Sequence, residues 1–256
     1  MSLLKAKKSP DEMTFLEHLE DLRHRLFNSF LALIAGFIPG WIFSREIYEV
    51  LAEPVKRYLP EGTKMAFTTL TAPFMLYIKV AFLAAVFLTS PFIFLQLWYF
   101  IAPGLYQKEK KYVVPFVLMT TFFFSLGALF GYFIVFPWAC RFFLHLGSDF
   151  QPVITVDQYF GFALKVLLGI SLVFELPTIV FFLAKMGLVT ASWMVRNFKY
   201  AVLAAFIVSA VITPTPDMVT QSIVAVPMLL LYGISILIAL VVGRKKEEKA
   251  ESEEAG

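Results

Sequence analysis

Long apolar stretches alternate with short polar ones along almost the whole chain. A helix of about 20 apolar residues is long enough to cross the hydrocarbon of a bilayer, which is about 30 Å thick. The pattern therefore predicts an all-α fold, a polytopic membrane bundle of six transmembrane helices. The predicted spans are residues 26–43, 74–100, 113–136, 159–185, 200–212 and 219–242. The fifth of these is too short to cross the full hydrocarbon thickness alone.

Two of the polar stretches, residues 44–73 and 137–158, are long enough to form loops on the outer side of the membrane. The first contains Ile47, Leu51 and Val55 at helical spacing with charged residues between them, which indicates an amphipathic helix. Such a helix can lie on the membrane surface or pack on the protein itself, and the sequence leaves both interpretations open.

The lysines and arginines are distributed unevenly between the two sides of the predicted bundle. The N-terminal segment, residues 101–112, residues 185–199 and the tail hold 15 of the 22. Because cytoplasmic segments carry an excess of these residues, both chain ends are predicted to be cytoplasmic, in agreement with an even number of spans. The tail itself, residues 246–256, is strongly charged and is predicted to be disordered, which leaves residues 1–245 as a single domain.

The composition favours contact with lipid and excludes several kinds of chemistry. The chain is 59% hydrophobic and 16% charged, whereas about a quarter of the residues is charged in a soluble domain. Cys140 is the only cysteine, which excludes an intrachain disulfide and a cysteine metal cluster. The three histidines are scattered, and the sequence has no phosphate-binding loop or common hydrolase motif. We therefore expect no metal, no cofactor, no nucleic acid partner and no catalytic residue.

Residues 15–25 lie before the first span and combine apolar and charged positions. Leu19 and Leu22 belong to an apolar stripe at helical spacing, which leaves Glu20 and Asp21 on other sides of the helix. In the simpler interpretation this segment is a solvated amphipathic helix whose arginines anchor it at the membrane. In the functional interpretation its carboxylates belong to a binding site.

The loop after the second span, residues 98–109, brings aromatic residues close to a carboxylate. Trp98, Phe100 and Tyr106 are followed by Glu109. Aromatic rings beside a carboxylate can bind a cationic group through ion pairing and cation–π contact. The alternative is an aromatic belt at the membrane interface with a surface glutamate.

Glu175 lies inside the otherwise apolar fourth span, two residues before Pro177. An ionisable residue at this depth is costly, so a functional role is the first hypothesis, and a glutamate neutralised against another helix is the alternative. Residues 213–221, around Asp217, are predicted to form a tight outer turn between the last two spans.

Several motifs together resemble the TatC family, the core of the twin-arginine protein translocase. They extend in order from about residue 12 to residue 245, and only their combination makes the resemblance specific. The motifs are His18-Leu-Glu-Asp-Leu-Arg-His-Arg25, Ser90-Pro91 with Gln96-Leu-Trp98, Phe100-Ile-Ala-Pro-Gly-Leu-Tyr106-x-x-Glu109-Lys, Gly131-Tyr-Phe133, Phe174-Glu175-Leu-Pro177, and Thr213-Pro with Asp217, Gln221 and Pro227.

The resemblance implies a concave six-helix bundle whose last two helices are short, in the cytoplasmic (inner) membrane of a bacterium or archaeon. It implies a receptor without enzymatic activity that binds the twin-arginine signal peptides of folded proteins at its cytoplasmic face. The implied partners are TatA-type and TatB-type single-span proteins and further copies of the receptor itself, and the implied energy source is the proton-motive force.

The resemblance also implies which residues bind the signal peptide. Asp21 and Glu109 would hold the two arginines, with Phe100 beside them, and Glu175 would be an intramembrane polar site. The family usually has glutamate at position 21, so the shorter aspartate makes Glu20 a candidate to share the role. Further candidates for a structural or partner-contact role are Arg23, Pro54, Tyr106, Pro177, Asp217 and Gln221.

Two other classes of protein compete with this interpretation. A proton-coupled transporter of small solutes could be built around Glu175, although the sequence shows no internal repeat of the kind common in transporters. An intramembrane protease would need a Ser–His pair or paired aspartates within the spans, and the sequence shows neither.

Overall fold

The computed structural model describes residues 15–57, 65–101, 113–150, 153–213 and 217–254, with side chains from 18 to 243 within these ranges. Nearly all of these residues are helical, and the β-structure among them is one isolated parallel bridge between Ala66 and Thr155. The helices are α1 (Phe15–Ile42), α2 (Ser44–Lys56), α3 (Ala72–Ile101), α4 (Val113–Phe130), a π-helical segment (Gly131–Val135), α5 (Phe136–Leu146), α6 (Val156–Val173), α7 (Leu176–Met186), α8 (Ala191–Arg196), α9 (Phe198–Ile212) and α10 (Met218–Glu254).

The described residues confirm the predicted six apolar helices. Five helical stretches are long and apolar enough to cross a membrane, and α9 is a shorter apolar helix. The long stretches are His18–Ile42, Ala72–Ile101, Val113–Leu146, Val156–Met186 and Met218–Gly243. At about 1.5 Å per residue, the 15 residues of α9 extend about 22 Å. This is shorter than the hydrocarbon core, as the sequence predicted.

The third apolar helix is longer than expected. The sequence placed an outer loop at residues 137–158, but the helix continues through the π-helical segment and α5 to Leu146. Pro137 lies in the first turn of α5 and has no N–H group to donate. The π-helical segment changes the hydrogen-bond register directly before this proline, so the helix continues where a proline would otherwise end or kink it.

The fourth apolar helix is broken in the middle. α6 ends at Val173 and α7 begins at Leu176, so Phe174 and Glu175 form the break between them. Pro177 is in the first turn of α7, where a missing N–H group costs nothing because first-turn N–H groups have no partner within the helix.

The last helix is longer than expected. The resemblance implied that the last two helices are short, yet α10 has 37 residues. Its helical backbone continues to Glu254, past residue 246, where the predicted tail begins. Residues 244–254 consist mainly of lysine and glutamate and have no glycine or proline, so their intrinsic preference is helical despite their polarity.

The core lies around α6. Its stretch of the chain is the most buried of the five long apolar helices, whereas the one formed by α1 is the least buried. α6 packs against α3 and α4, α1 packs along α3, and α10 packs against α7 and α9. The structure therefore has one central helix, and α1 and α3 form a pair at its side.

α2 packs on the protein, which decides between the two interpretations left open by the sequence. Leu51, Pro54 and Val55 are buried in the face that it turns to the bundle. The hydroxyl groups of Tyr132 and Tyr159 donate hydrogen bonds of 2.7 and 2.9 Å to the carbonyl oxygens of Val50 and Leu51. Pro54 is thus part of a packed interface within the chain.

The contact between α4 and α6 depends on a glycine. A Cβ atom at Gly127 would lie 2.7 Å from the Cα atom of Ser171 and 2.9 Å from the Cβ atom of Phe174. Both neighbours are close to rigid backbone, so they cannot move away easily. A Cβ atom at Gly233 in α10, in contrast, would meet no heavy atom within 4 Å.

We therefore predict opposite effects for the same substitution at these two glycines. Gly127→Ala should lower the melting temperature in detergent, because overpacking costs about 1–3 kcal/mol. Gly233→Ala should leave it unchanged or raise it, since alanine is the better helix former by about 0.5–1 kcal/mol. The measurement is thermal unfolding of the two purified variants. Equal melting temperatures would contradict the close α4–α6 contact.

Candidate functional site

Polar and aromatic side chains gather where α1 begins and α3 ends. Because the two helices are packed along each other in opposite directions, the first turns of α1 lie beside the last turns of α3. We call this group the α1–α3 cluster. Its members are His18, Asp21 and Arg25 on α1 and Gln96, Tyr99 and Phe100 on α3.

Helical spacing brings the three α1 residues to one face. His18, Asp21 and Arg25 are three and four residues apart, and residues at these spacings are neighbours on a helix surface. His18 stacks on Phe100, with 4.6 Å between the ring centroids and 23° between the ring planes. The stack joins the start of α1 to the end of α3.

Arg25 makes three contacts within the cluster. Its Nε atom donates to the Oδ1 atom of Asp21 at 3.1 Å, and its Nη1 atom donates to the Oε1 atom of Gln96 at 3.5 Å. The guanidinium carbon lies 5.2 Å from the centroid of the Tyr99 ring, within the range of a cation–π contact. Gln96 is buried, so its amide is held in a defined position for this contact.

The second oxygen of Asp21 is the unusual atom of the cluster. Oδ2 is buried, and it has no hydrogen-bond partner among the residues that the structure describes. A carboxylate can accept about four hydrogen bonds, and a guanidinium can bind both of its oxygens at once. Asp21 therefore has acceptor capacity that Arg25 does not use.

The structure brings together two of the four predicted signal-peptide-binding residues. Asp21 and Phe100 both belong to the α1–α3 cluster, whereas Glu20 is exposed. Arg23 is also exposed on α1. The other predicted residues of this region, Tyr106 and Glu109, lie outside the described residues.

The roles of His18, Arg25, Gln96 and Tyr99 in the cluster were not apparent from the sequence. The pairing of Asp21 with Arg25 could have been inferred from their spacing of four residues on a predicted helix. The roles of Gln96 and Tyr99 had no comparable signal, because their partner Arg25 lies about 70 positions away in the sequence. His18 was recognised only as part of a motif.

Glu175 is a second polar site, which lies inside the bundle. Its side chain is only 5% exposed, and neither carboxyl oxygen has a hydrogen-bond partner in the described part of the chain. Thr178, three residues later on α7, is fully buried, and its hydroxyl oxygen is likewise unpartnered there. A buried polar group without a partner lowers the stability of the fold, which is a cost that function can explain.

Asp217 and Gln221 form the start of α10. The carboxylate of Asp217 accepts from the backbone N–H group of Thr220 at 2.8 Å and from the Thr220 hydroxyl group. The backbone N–H group of Gln221 donates to the carbonyl oxygen of Asp217 at 3.1 Å. Asp217 thus caps the helix. Pro177 has a structural role as well, since it is buried in the first turn of α7.

Comparisons with known proteins agree on one family. The family model described as Sec-independent protein translocase protein (TatC) matches residues 17–227. The TatC proteins of Koribacter versatilis and Desulforapulum autotrophicum are 42% and 45% identical to this chain, over 94% and 96% of its length and 92% and 89% of theirs. A crystal structure of a twin arginine translocase receptor, TatC, has a TM-score of 0.79 and 36% identity, covering 88% of this chain and 99% of that chain.

The burial of Glu175 leads to a prediction about stability. Glu175→Met replaces the carboxyl group by an apolar chain of similar length, so it should raise the melting temperature in detergent by removing unpartnered buried oxygens. Glu175→Gln keeps polar atoms at the same place and should gain less. Thermal unfolding of the purified variants measures both. A clear loss of stability in Glu175→Met would contradict an unpartnered carboxyl group.

Proposed function

Because this chain belongs to the TatC family, we propose that it is the receptor and scaffold of a twin-arginine translocase. It is a component of a protein translocase, a multi-pass protein of the inner membrane, and not an enzyme. The finer proposal is that the α1–α3 cluster binds the twin-arginine signal peptides of folded proteins.

The observation that carries this proposal is the Asp21 carboxylate, with Oδ2 buried and unpartnered among the described residues. A peptide arginine can approach it with a planar group of five donors, a geometry that matches carboxylate far better than lysine does. Tyr99 already makes a cation–π contact with the guanidinium of Arg25, and Phe100 stacks on His18, three residues before Asp21 on α1. Glu109, which belongs to the same family motif as Phe100, is proposed as the carboxylate for the second arginine.

We propose that both chain ends face the cytoplasm. Six crossings return the chain to the side on which it began, and 15 of the 22 lysines and arginines belong to the segments of that side. The α1–α3 cluster then opens to the compartment in which signal peptides are made and proteins fold.

We further propose that the apolar outer faces of the bundle bind TatA-type and TatB-type single-span proteins and further copies of the receptor. α9 supports this because several of its large apolar side chains, among them Leu203, Ile207 and Val211, are well exposed. A short helix also thins the bilayer around it, which favours association with other helices. Transport driven by the proton-motive force is part of the same proposal.

The binding proposal predicts a strong preference for arginine in the peptide. The purified full chain should bind a fluorescent twin-arginine peptide, and replacement of both arginines by lysines should weaken binding at least about tenfold, because lysine cannot form the bidentate contact. Asp21→Ala and Glu109→Ala should each weaken binding of the arginine peptide by a similar factor.

Asp149→Ala is the matched control for these two variants. It removes a carboxylate that is exposed at the other end of the bundle, so peptide affinity should be unchanged. If Asp21→Ala and Glu109→Ala both bind and crosslink the peptide like the original protein, the assigned site is wrong.

The proposed orientation predicts opposite labelling of two exposed serines, Ser148 after α5 and Ser192 in α8. Each is replaced by cysteine in a Cys140→Ala background, which removes the only natural thiol. A membrane-impermeant maleimide added to spheroplasts should label the Ser148→Cys protein directly and the Ser192→Cys protein only after lysis. The reverse result would show that the bundle is inserted in the opposite direction.

A further inference from the structure

We propose that Arg25 is an internal competitor of the peptide arginine at Asp21. This inference rests on the proposed function, because it concerns the same binding site. In the structure the guanidinium of Arg25 already bonds to the carboxylate that we assign to the signal peptide. A peptide arginine that binds both oxygens of Asp21 must therefore displace Arg25.

The contacts of Arg25 are the contacts that a peptide arginine would use. They comprise a charged hydrogen bond to Asp21, a hydrogen bond to the buried amide of Gln96 and a cation–π contact with Tyr99. A guanidinium can make all three at once because its donors and its flat face have a fixed geometry, which an ammonium group lacks. Arg25 thus fills the position with the same chemical group as the proposed ligand.

The hydrogen bonds of Arg25 are few and partly long, so a peptide arginine can replace it. Its bond to Asp21 uses Nε and one carboxylate oxygen, and its bond to Gln96 is long at 3.5 Å. The side chain is 28% exposed, so it has a path to water. Oδ2 of Asp21 is buried and has no partner in the described residues, so an incoming guanidinium gains this second acceptor only as Arg25 moves away.

The competitor has two consequences for binding. While no peptide is bound, the partly buried carboxylate keeps a cationic partner, which reduces the cost of an uncompensated charge. The energy needed to displace Arg25 is the same for every ligand, so it lowers all affinities by one factor. Weakly binding cations such as lysine then occupy the site only rarely. A peptide arginine still binds, because it makes contacts equivalent to those that Arg25 gives up.

Competition by Arg25 and a positioning role of Arg25 predict opposite changes in peptide affinity when Arg25 is removed. If Arg25 only holds Asp21 in place for the peptide, its removal lowers peptide affinity. If Arg25 competes, its removal raises the affinity of the twin-arginine peptide and of the twin-lysine peptide by similar factors. The ratio between the two peptides stays unchanged because the displacement energy is common to both.

The experiment measures the affinities of both fluorescent peptides for the full chain in detergent. Arg25→Gln should raise both affinities about tenfold, the value of one charged hydrogen bond. Arg25→Lys separates competition from charge repulsion, since it keeps the positive charge but loses the fork. It should also raise the affinity of the arginine peptide, by a smaller factor. Arg196→Gln, at an exposed arginine of α8, is the control for loss of a charge and should leave the affinities of both peptides unchanged.

A double variant adds a test that does not depend on a single substitution. In an Asp21→Asn background the competitor has lost its charged partner, so Arg25→Gln should no longer raise affinity. If Arg25→Gln folds poorly, Arg25→Lys and its combination with Asp21→Asn give the same comparison.

The outcomes distinguish this inference from the proposed function. Unchanged or lower peptide affinity in both Arg25 variants overturns this inference but leaves the proposed function intact. This holds when the original protein prefers the arginine peptide and Asp21→Ala weakens its binding. A gain in Arg25→Gln without any gain in Arg25→Lys shows charge repulsion and also overturns it. If the original protein does not distinguish the two peptides, the proposed function itself fails.

Discussion

The interior of a bilayer offers no water to a backbone amide, and this constraint determines the structure. Each N–H and C=O group must be bonded within the protein, so the spanning segments are helices. Irregular backbone at depth is tolerated only where protein encloses it. The break at Phe174 and Glu175 meets this condition, because both residues are buried and α4 approaches closely through Gly127. The π-helical segment before Pro137 meets the same demand by rearranging hydrogen bonds without ending the helix.

This constraint explains why so much of the fold could be predicted from the sequence. Lipid contact requires apolar side chains over a whole span, so hydropathy marks the six helices. The continuation through Pro137 was not expected because it depends on a local rearrangement of hydrogen bonds. The extension of α10 has a different cause, the helix propensity of its lysine- and glutamate-rich end.

The candidate site was predictable only in part, for a different physical reason. Asp21 and Phe100 were named because they belong to motifs of a known family, and the pairing of Asp21 with Arg25 follows from helical spacing. The contact of Arg25 with Gln96 depends on how α1 and α3 pack, through small residues such as Gly36 and Gly40 against the backbone of α3. A pattern within one helix carries no information about the rotation of a second helix against it.

The two polar sites, Asp21 in the α1–α3 cluster and Glu175 inside the bundle, differ in their accessibility to a ligand. Asp21 lies at the end of a helix pair, is partly exposed and already bonds a guanidinium, so exchanging one cation for another there requires no opening of the core. Glu175 is enclosed, and a peptide arginine could contact it only if the surrounding helices moved apart or water entered the bundle. Bringing a charged group into such an apolar interior is costly unless its partner compensates fully. This difference supports the proposal that a cationic segment binds at the α1–α3 cluster, whereas a role of Glu175 requires the packing of the bundle itself to change.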